Sequence, residues 1–419
     1  MKNYFRKISQ PDQSRTNEID QEYAHSRVKG NRKNFWQMLV IMVGFTYFSP
    51  SMTAGGHLGL GLNLSQFIIA VILGNLFLAI YTGCLAYIGQ HTGMNLDLLA
   101  RQTFGSKGAH LASFVIGITQ TGWFGVGVAM FAIPVAAFYH LNVYLLVLIM
   151  GFLMTLTSVK GIKALSIFGI IAVPLITVLG FYSVYLSFHT SGSLQNMFSN
   201  HPLKPLSMAM ALSIVIGNFI SGGTSTPNFT RFSKNSIGAI SATVIAFFVG
   251  NIFMFIFGAT GAAAFGKADI FDTLIMQGLA IPAILSLGLN IWSTNNNALY
   301  ASGISLANIT NNSMKLMTMI AGTIGTLLSI FLFEHFTTYL SLLSSLIPPI
   351  GSIIVVDYFM HRSNYKTEEC QINYNLSALC PIFIGAFVGC VIKIGIPPIN
   401  SLIAAIISYL LLQYIKINK

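Results

Sequence analysis

The chain has 419 residues, 54% of them hydrophobic and only 8% charged, and a mean hydropathy of +0.71. A soluble domain normally carries about 25% charge, so this composition excludes one. The formal net charge of +11 does not signal a nucleic-acid binder. Eight basic residues lie in the first 33 positions and the rest are scattered between apolar runs, leaving no face to track a phosphate backbone.

The polar head, 1–33, mixes its basic residues with Asp12, Glu18, Asp20 and Glu22. Its apolar run comes too late for a cleavable signal peptide, and it is expected to be a cytoplasmic tail. Beyond it the sequence is a series of long apolar runs. At about 20 apolar residues per crossing, these predict twelve transmembrane helices, near 36–62, 66–90, 109–139, 142–159, 162–188, 207–229, 237–263, 273–299, 314–333, 336–356, 376–394 and 398–415. The predicted class is an all-α polytopic membrane protein.

The first span contains Gly44-Phe45-Thr46-Tyr47-Phe48-Ser49-Pro50 and then Gly55-Gly56. The sixth contains Gly217-Asn218-Phe219-Ile220-Ser221-Gly222-Gly223-Thr224-Ser225-Thr226-Pro227. Glycine and proline weaken a helix there, and hydroxyl side chains can satisfy the backbone groups a break frees. Both spans are expected to be broken at midspan. Because they stand five spans apart, the two five-helix units they open must be inverted in the membrane. The expected organisation is one repeat at 34–188, an inverted repeat at 207–356, and two additional helices within 376–415.

Span three places Gln120 and Trp123 at i and i+3 on one helix face, deep in an apolar run. Bilayer tryptophans usually mark the interface. A central indole beside a primary amide suits a flat polar ring, with stacking on one and edge hydrogen bonds to the other. Phe219 in the sixth span can cover the second ring face. The alternative use of Trp123 is packing against glycines. Span eight is read as ending in Leu289-Asn290-Ile291-Trp292-Ser293-Thr294-Asn295-Asn296-Asn297. Asn290, Ser293 and Thr294 share a face there, and carbonyls freed around Gly44 and Tyr47 can complete an oxygen shell for a hard monovalent cation. Interhelical hydrogen bonding or a C-terminal cap is the competing use of those groups.

All eleven acidic residues fall outside the middle of a span, so the substrate is read as neutral and any coupling cation as held by neutral oxygens. His57, toward the outer end of span one, is read as structural. Cys84, Cys370, Cys380 and Cys390 form no CxxC pair and no close cluster with histidine, which argues against disulfide staples and zinc. Nineteen of the 22 Lys and Arg fall on the N-terminal side of this arrangement, leaving Lys204, Lys267 and Lys393 opposite. By the positive-inside rule both termini are cytoplasmic. A membrane enzyme is disfavoured by the lack of a Ser-His-Asp set, a metal motif or an intramembrane acid–base pair.

These motifs resemble the bacterial cytosine permeases of the nucleobase–cation symport family. The stretches that carry the resemblance are Gly44 to Gly59, GNLFLAIYTGCLAYIGQHTG, TQTGWFGVGVAMFAIP, FISGGTSTPNFTRF, GLNIWSTNNNALYASG and SSLIPPIGSIIVVDYFM, and it runs from Phe35 to Leu412. The resemblance implies a ten-helix inverted-repeat core with two extra helices in the bacterial inner membrane, no cofactor, and sodium-coupled uptake of cytosine by alternating access. It implies sodium at the carbonyls of Gly44 and Tyr47 and the side chains of Asn290, Ser293 and Thr294. It also implies the base between Trp123 and Phe219, edged by Gln120 and the segment Asn218 to Ser221. Some members have Thr in place of Ser293, Ser in place of Asn218, Phe in place of Tyr47 and Asp in place of Asn296. No obligatory protein partner is implied. The competing carrier reading is a proton-coupled or facilitative permease for a purine, hydantoin or small amide.

Overall fold

A computed structural model describes residues 26–28, 30, 32–159, 163–198, 205–367, 370, 372–392 and 394–417. Most of the tail, together with Lys204 and Lys393, lies outside the described residues. In chain order the helices are α1 (Phe35–Thr46), α2 (Ser49–Gly61), α3 (Leu64–Thr92), α4 (Leu96–Phe104), α5 (Ala109–Tyr139), α6 (Val143–Val159) and α7 (Lys163–Ser191). They continue with α8 (Leu194–Met197), α9 (Met208–Thr224), α10 (Pro227–Thr230), α11 (Ser236–Val244), a π-helical turn (Ile245–Gly250) and α12 (Asn251–Phe265). The remainder are α13 (Ile270–Met276), α14 (Ala280–Thr310), α15 (Met314–Glu334), α16 (Phe336–Leu346), α17 (Pro348–Met360), α18 (Leu376–Val391) and α19 (Pro397–Ile417). Every expected interval contains a helix. Among the described residues eight helices are long and apolar enough to cross a membrane by themselves, and α1 with α2 makes a ninth as a bent pair.

Local chemistry sets these boundaries. Asn34 and Gln37 form a reciprocal capping box that starts α1, and Asn63 with Gln66 does the same for α3. The described part of the head ties connections on its own side of the molecule together. Arg32 donates to the carbonyls of Gln90 and Ser233, and Arg27 to those of Tyr365 and Thr367. On α3, Ile68, Ile69, Ile72, Leu73, Leu76 and Ile80 are exposed, an apolar face at helical spacing that suits lipid rather than water.

The break in span one is where the sequence puts it. Tyr47 closes α1, Phe48 is extended at φ −125°, and Pro50 stands in the first turn of α2. The two halves meet at 53°. Beyond the break the backbones of α2 and α12 touch: a Cβ on Gly55, Gly59 or Gly258 would overlap the main chain at Phe255, Ala259 or Met52. Such close approach is how membrane helices gain contact without a hydrophobic driving force.

Three spans depart from expectation. In the sixth, α9 stays helical through the glycines and the turn comes late, at Ser225–Thr226. Gly217 is needed for packing instead, because a Cβ there would overlap the Leu340 carbonyl oxygen. Pro227 cannot donate an amide, and α10 restarts on it after Thr226 N–H bonds to the Gly223 carbonyl at 3.1 Å. In the tenth, an unexpected interruption at Ile347 separates α16 from α17, whose first turn holds Pro348 and Pro349. The eighth is shifted: α13 forms a separate short helix, and α14 runs through the asparagines for 31 residues. Asn290 to Asn297 therefore lie within a helix rather than at its end, which removes the capping alternative.

The short helix α13 opens on Asp269, whose carboxylate accepts the Phe271 amide at 2.8 Å. Its other oxygen is buried without a partner among the described residues. Burial and the neighbouring Asp272 push its pKa up to about 7. The fold therefore favours the protonated acid, and stability from this group is full below the ordinary value of 3.8 and is lost as pH rises through about 7. Asp269→Asn keeps a good N-cap and removes the titration. The variant should exceed the parent's melting temperature by a margin that grows as pH rises from about 4 to about 7 and is constant above that. Parallel pH profiles for the two proteins would contradict this assignment.

Candidate substrate and cation site

The break between α1 and α2 frees backbone groups, and Asn290 takes them up. Its Nδ2 donates to the Tyr47 carbonyl at 2.6 Å, while its Oδ1 accepts the Ser49 amide at 2.9 Å and the Ser49 hydroxyl at 2.8 Å. One amide thus spans the break with both of its ends. Asn290 is 2% exposed, where leaving such groups unmade costs about 1–3 kcal/mol each. One turn along α14, Ser293 and Thr294 are buried as well, and the Thr294 hydroxyl donates to the Asn290 carbonyl at 2.9 Å. Gly44 lies a turn before the break, half-buried, with open space where a side chain would be. The structure joins Asn290 to Tyr47 directly and sets Ser293 and Thr294 beside them.

Beside the break is a cavity lined by Phe45, Phe48, Gln120, Trp123, Phe219 and Ser221, together with residues of α14. The Trp123 indole donates to the Ser221 hydroxyl at 3.0 Å, and the Gln120 amide approaches the same oxygen at 3.5 Å. The long Gln120 contact leaves its amide available to a better partner. Asn218 donates to the Ser51 hydroxyl at 2.7 Å, and its Oδ1 is buried without a partner among the described residues. All five residues expected around a base line this one cavity.

The aromatic arrangement includes a residue the sequence reading left out. Phe48, inside the break, meets Trp123 edge-on at 5.3 Å and Phe219 at 5.8 Å. It stands between the carbonyl that Asn290 holds and the two rings expected to sandwich a base. Its position next to Tyr47 was the available signal. On the other side Tyr339 and Phe336 pack edge-on against Trp123 at 5.5 and 6.2 Å, and Tyr339 donates to the Thr119 carbonyl at 2.7 Å. Trp123 is thus both packed and cavity-lining. Thr294, Asn297, Ala298 and Ala301 form the α14 wall at i, i+3, i+4 and i+7. Of this row only Thr294 was expected at a site; Asn297, Ala298 and Ala301 join it through the packing of α14. No group of three or more His, Cys, Asp or Glu able to hold a metal ion occurs among the described residues.

A family model described as permease for cytosine/purines, uracil, thiamine, allantoin matches residues 28–412. The cytosine permease of Escherichia coli K12 is 47% identical over 390 residues, covering 93% of each chain. The hydantoin permease of Microbacterium maritypicum is 24% identical over 340 residues, 74% of this chain and 69% of that one. Among solved structures, a nucleobase-cation-symport-1 family transporter in a closed conformation with bromovinylhydantoin bound superposes with a TM-score of 0.80 at 19% identity, over 94% of each chain. A sodium-coupled sialic acid symporter in a substrate-bound outward-open state gives a TM-score of 0.67 at 14% identity, over 93% of this chain and 92% of that one. The match along nearly the whole chain and the shared helical fold settle the class: this multi-pass membrane protein belongs to the cytosine/purine permease family and is a transporter rather than an enzyme.

Proposed function

We propose that this protein is a sodium–cytosine symporter of the bacterial inner membrane, working by alternating access. The observation that carries the reading is the contiguity of the two sites: Asn290 holds the helix break through Tyr47 and Ser49, and Phe48 between them touches Trp123 and Phe219. In this reading sodium is held by the carbonyls of Gly44 and Tyr47 and the side chains of Asn290, Ser293 and Thr294. Cytosine lies between Trp123 and Phe219, with Gln120, Asn218 and Ser221 at its edge. The 47% identity to a cytosine permease supports the choice of base.

The cation works through the break. For Asn290 to coordinate sodium, its Oδ1 must release one of the two Ser49 donors it accepts, while the Tyr47 carbonyl keeps a second lone pair for the cation. Phe48 lies between Tyr47 and Ser49, the two residues Asn290 holds, and its ring lines the proposed base pocket. Occupancy of one site thereby alters the shape of the other. A neutral base entering with one sodium moves one positive charge inward. An inside-negative potential of 100 mV contributes about 2.3 kcal/mol to that step, roughly fiftyfold accumulation.

The organisation that goes with this function has repeats at 34–188 and 207–356, added helices within 376–415, and both termini in the cytoplasm. Its test uses two exposed lysines, Lys234 and Lys267. Converted singly to cysteine in a cysteine-depleted background, Lys267 should label from outside intact cells and Lys234 only after permeabilisation. The reverse pattern would invert the assignment. The coupling is tested by radiolabelled cytosine uptake into proteoliposomes. Uptake should require an inward sodium gradient; equal uptake driven by a proton gradient alone would replace sodium with protons.

A further inference from the structure

Helix α14 carries four asparagines within eight residues, at 290, 295, 296 and 297, and three are already engaged. Asn290 holds the break. Asn295 donates to the Phe124 carbonyl at 3.2 Å, and Asn296 accepts the hydroxyls of Thr157 and Ser158 at 3.0 and 2.7 Å. Asn297 differs from them. It is half-buried, lines the cavity, and makes no hydrogen bond among the described residues. Its companions on the α14 wall have no free donor, because Ala298 and Ala301 are apolar and the Thr294 hydroxyl donates to its own helix. Nearby, the Asn228 Oδ1 accepts the Leu96 amide at 2.8 Å and the Ser225 hydroxyl donates to the Ser221 carbonyl at 3.2 Å.

We propose that Asn297 is a further base-recognition residue, presenting its amide to the nucleobase edge that faces away from Gln120 and Ser221. The inference rests on the nucleobase reading above and deepens it. A single-ring base carries donors and acceptors around most of its rim, more than Gln120, Asn218 and Ser221 together are placed to meet in this reading. The opposite rim, turned toward α14, would otherwise meet alanines, and a buried polar atom without a partner is costly. A primary amide offers both a donor pair and an acceptor, so Asn297 can complete the rim. It also distinguishes bases whose donors and acceptors are exchanged, as between the amino group of cytosine and the second carbonyl of uracil.

The test measures equilibrium binding of cytosine and uracil to detergent-purified, monodisperse parent, Asn297→Leu and Asn297→Ser proteins. Leucine keeps the volume and deletes the amide; serine is the second variant should leucine not fold. The expected result is a loss of about tenfold or more in cytosine affinity, equivalent to 1.4 kcal/mol, with a smaller preference for cytosine over uracil. Parental affinity, or an equal loss for both bases at the parental preference, overturns the role of Asn297 alone. A parent protein without saturable cytosine binding overturns the cytosine reading itself, and the Asn297 proposal with it.

Discussion

Asn290→Ala should abolish most sodium activation of cytosine binding, raising the sodium concentration for half-activation by about ten- to a hundredfold. Two effects oppose each other in this variant. Without the amide no Ser49 donor has to be released before a cation binds, which favours sodium by the value of one neutral hydrogen bond, roughly 0.5–1.5 kcal/mol. The lost Oδ1 was itself a ligand to a full charge, and such bonds are worth roughly 1.5–3 kcal/mol. The ligand term is larger, so affinity falls. The helix break is also left with an unpaired carbonyl, amide and hydroxyl where Asn290 had joined them, so the yield of folded protein falls too. Sodium titrations on equal amounts of monodisperse protein separate the two losses. Half-activation unchanged from the parent would place the coupling cation elsewhere.

Trp123→Ala should weaken cytosine binding by about ten- to a hundredfold, the value of roughly 1–3 kcal/mol for stacking a base on an aromatic ring. It also withdraws the indole donor from Ser221 and the ring that Phe48, Phe336 and Tyr339 pack against. Trp123→Phe is the informative companion, because it restores the ring without the donor and should recover part of the binding. Gln120→Ala acts differently. Its amide is only loosely engaged at 3.5 Å from Ser221, so the fold should tolerate the change while one edge of the base loses its partner, roughly 1–3 kcal/mol. Discrimination against uracil should fall with it. If both alanine variants bind cytosine with parental affinity and preference, these residues are packing alone.

How far the sequence could be read depended on whether a residue's role is local. The break in span one is written into adjacent residues, Tyr47 through Pro50, and the geometry follows from their own dihedral preferences. Gln120 with Trp123 was legible for the same reason, since i and i+3 fix a shared face whatever the surroundings. In the sixth span the interruption falls at the far end of the expected segment, at Ser225–Thr226, because Gly217 is a contact surface against Leu340 rather than a helix breaker. Span eight was placed too early because asparagine is a poor helix former. There Tyr47, Phe124, Thr157 and Ser158, all on other helices, take up its amides and let α14 continue. Phe48 and Asn297 went unassigned because their meaning lies in which wall they share, and a shared wall is a property of the packing.

The backbone contact between α2 and α12 bears on the mechanics of the transport cycle. Helices that interlock through side chains can slide by exchanging rotamers, but Gly55, Gly59 and Gly258 leave no side chain to yield. The second half of span one, α2, is in effect riveted to span seven, so the two move together as one lever. Its natural fulcrum is the extended joint at Phe48, the last residue before α2 begins. A small rotation there swings the far end of a 13-residue helix, about 20 Å long at 1.5 Å per residue, through several ångströms. On the proposed sodium reading, the glycines would convert a sub-ångström adjustment at the joint into the opening and shutting of a passage.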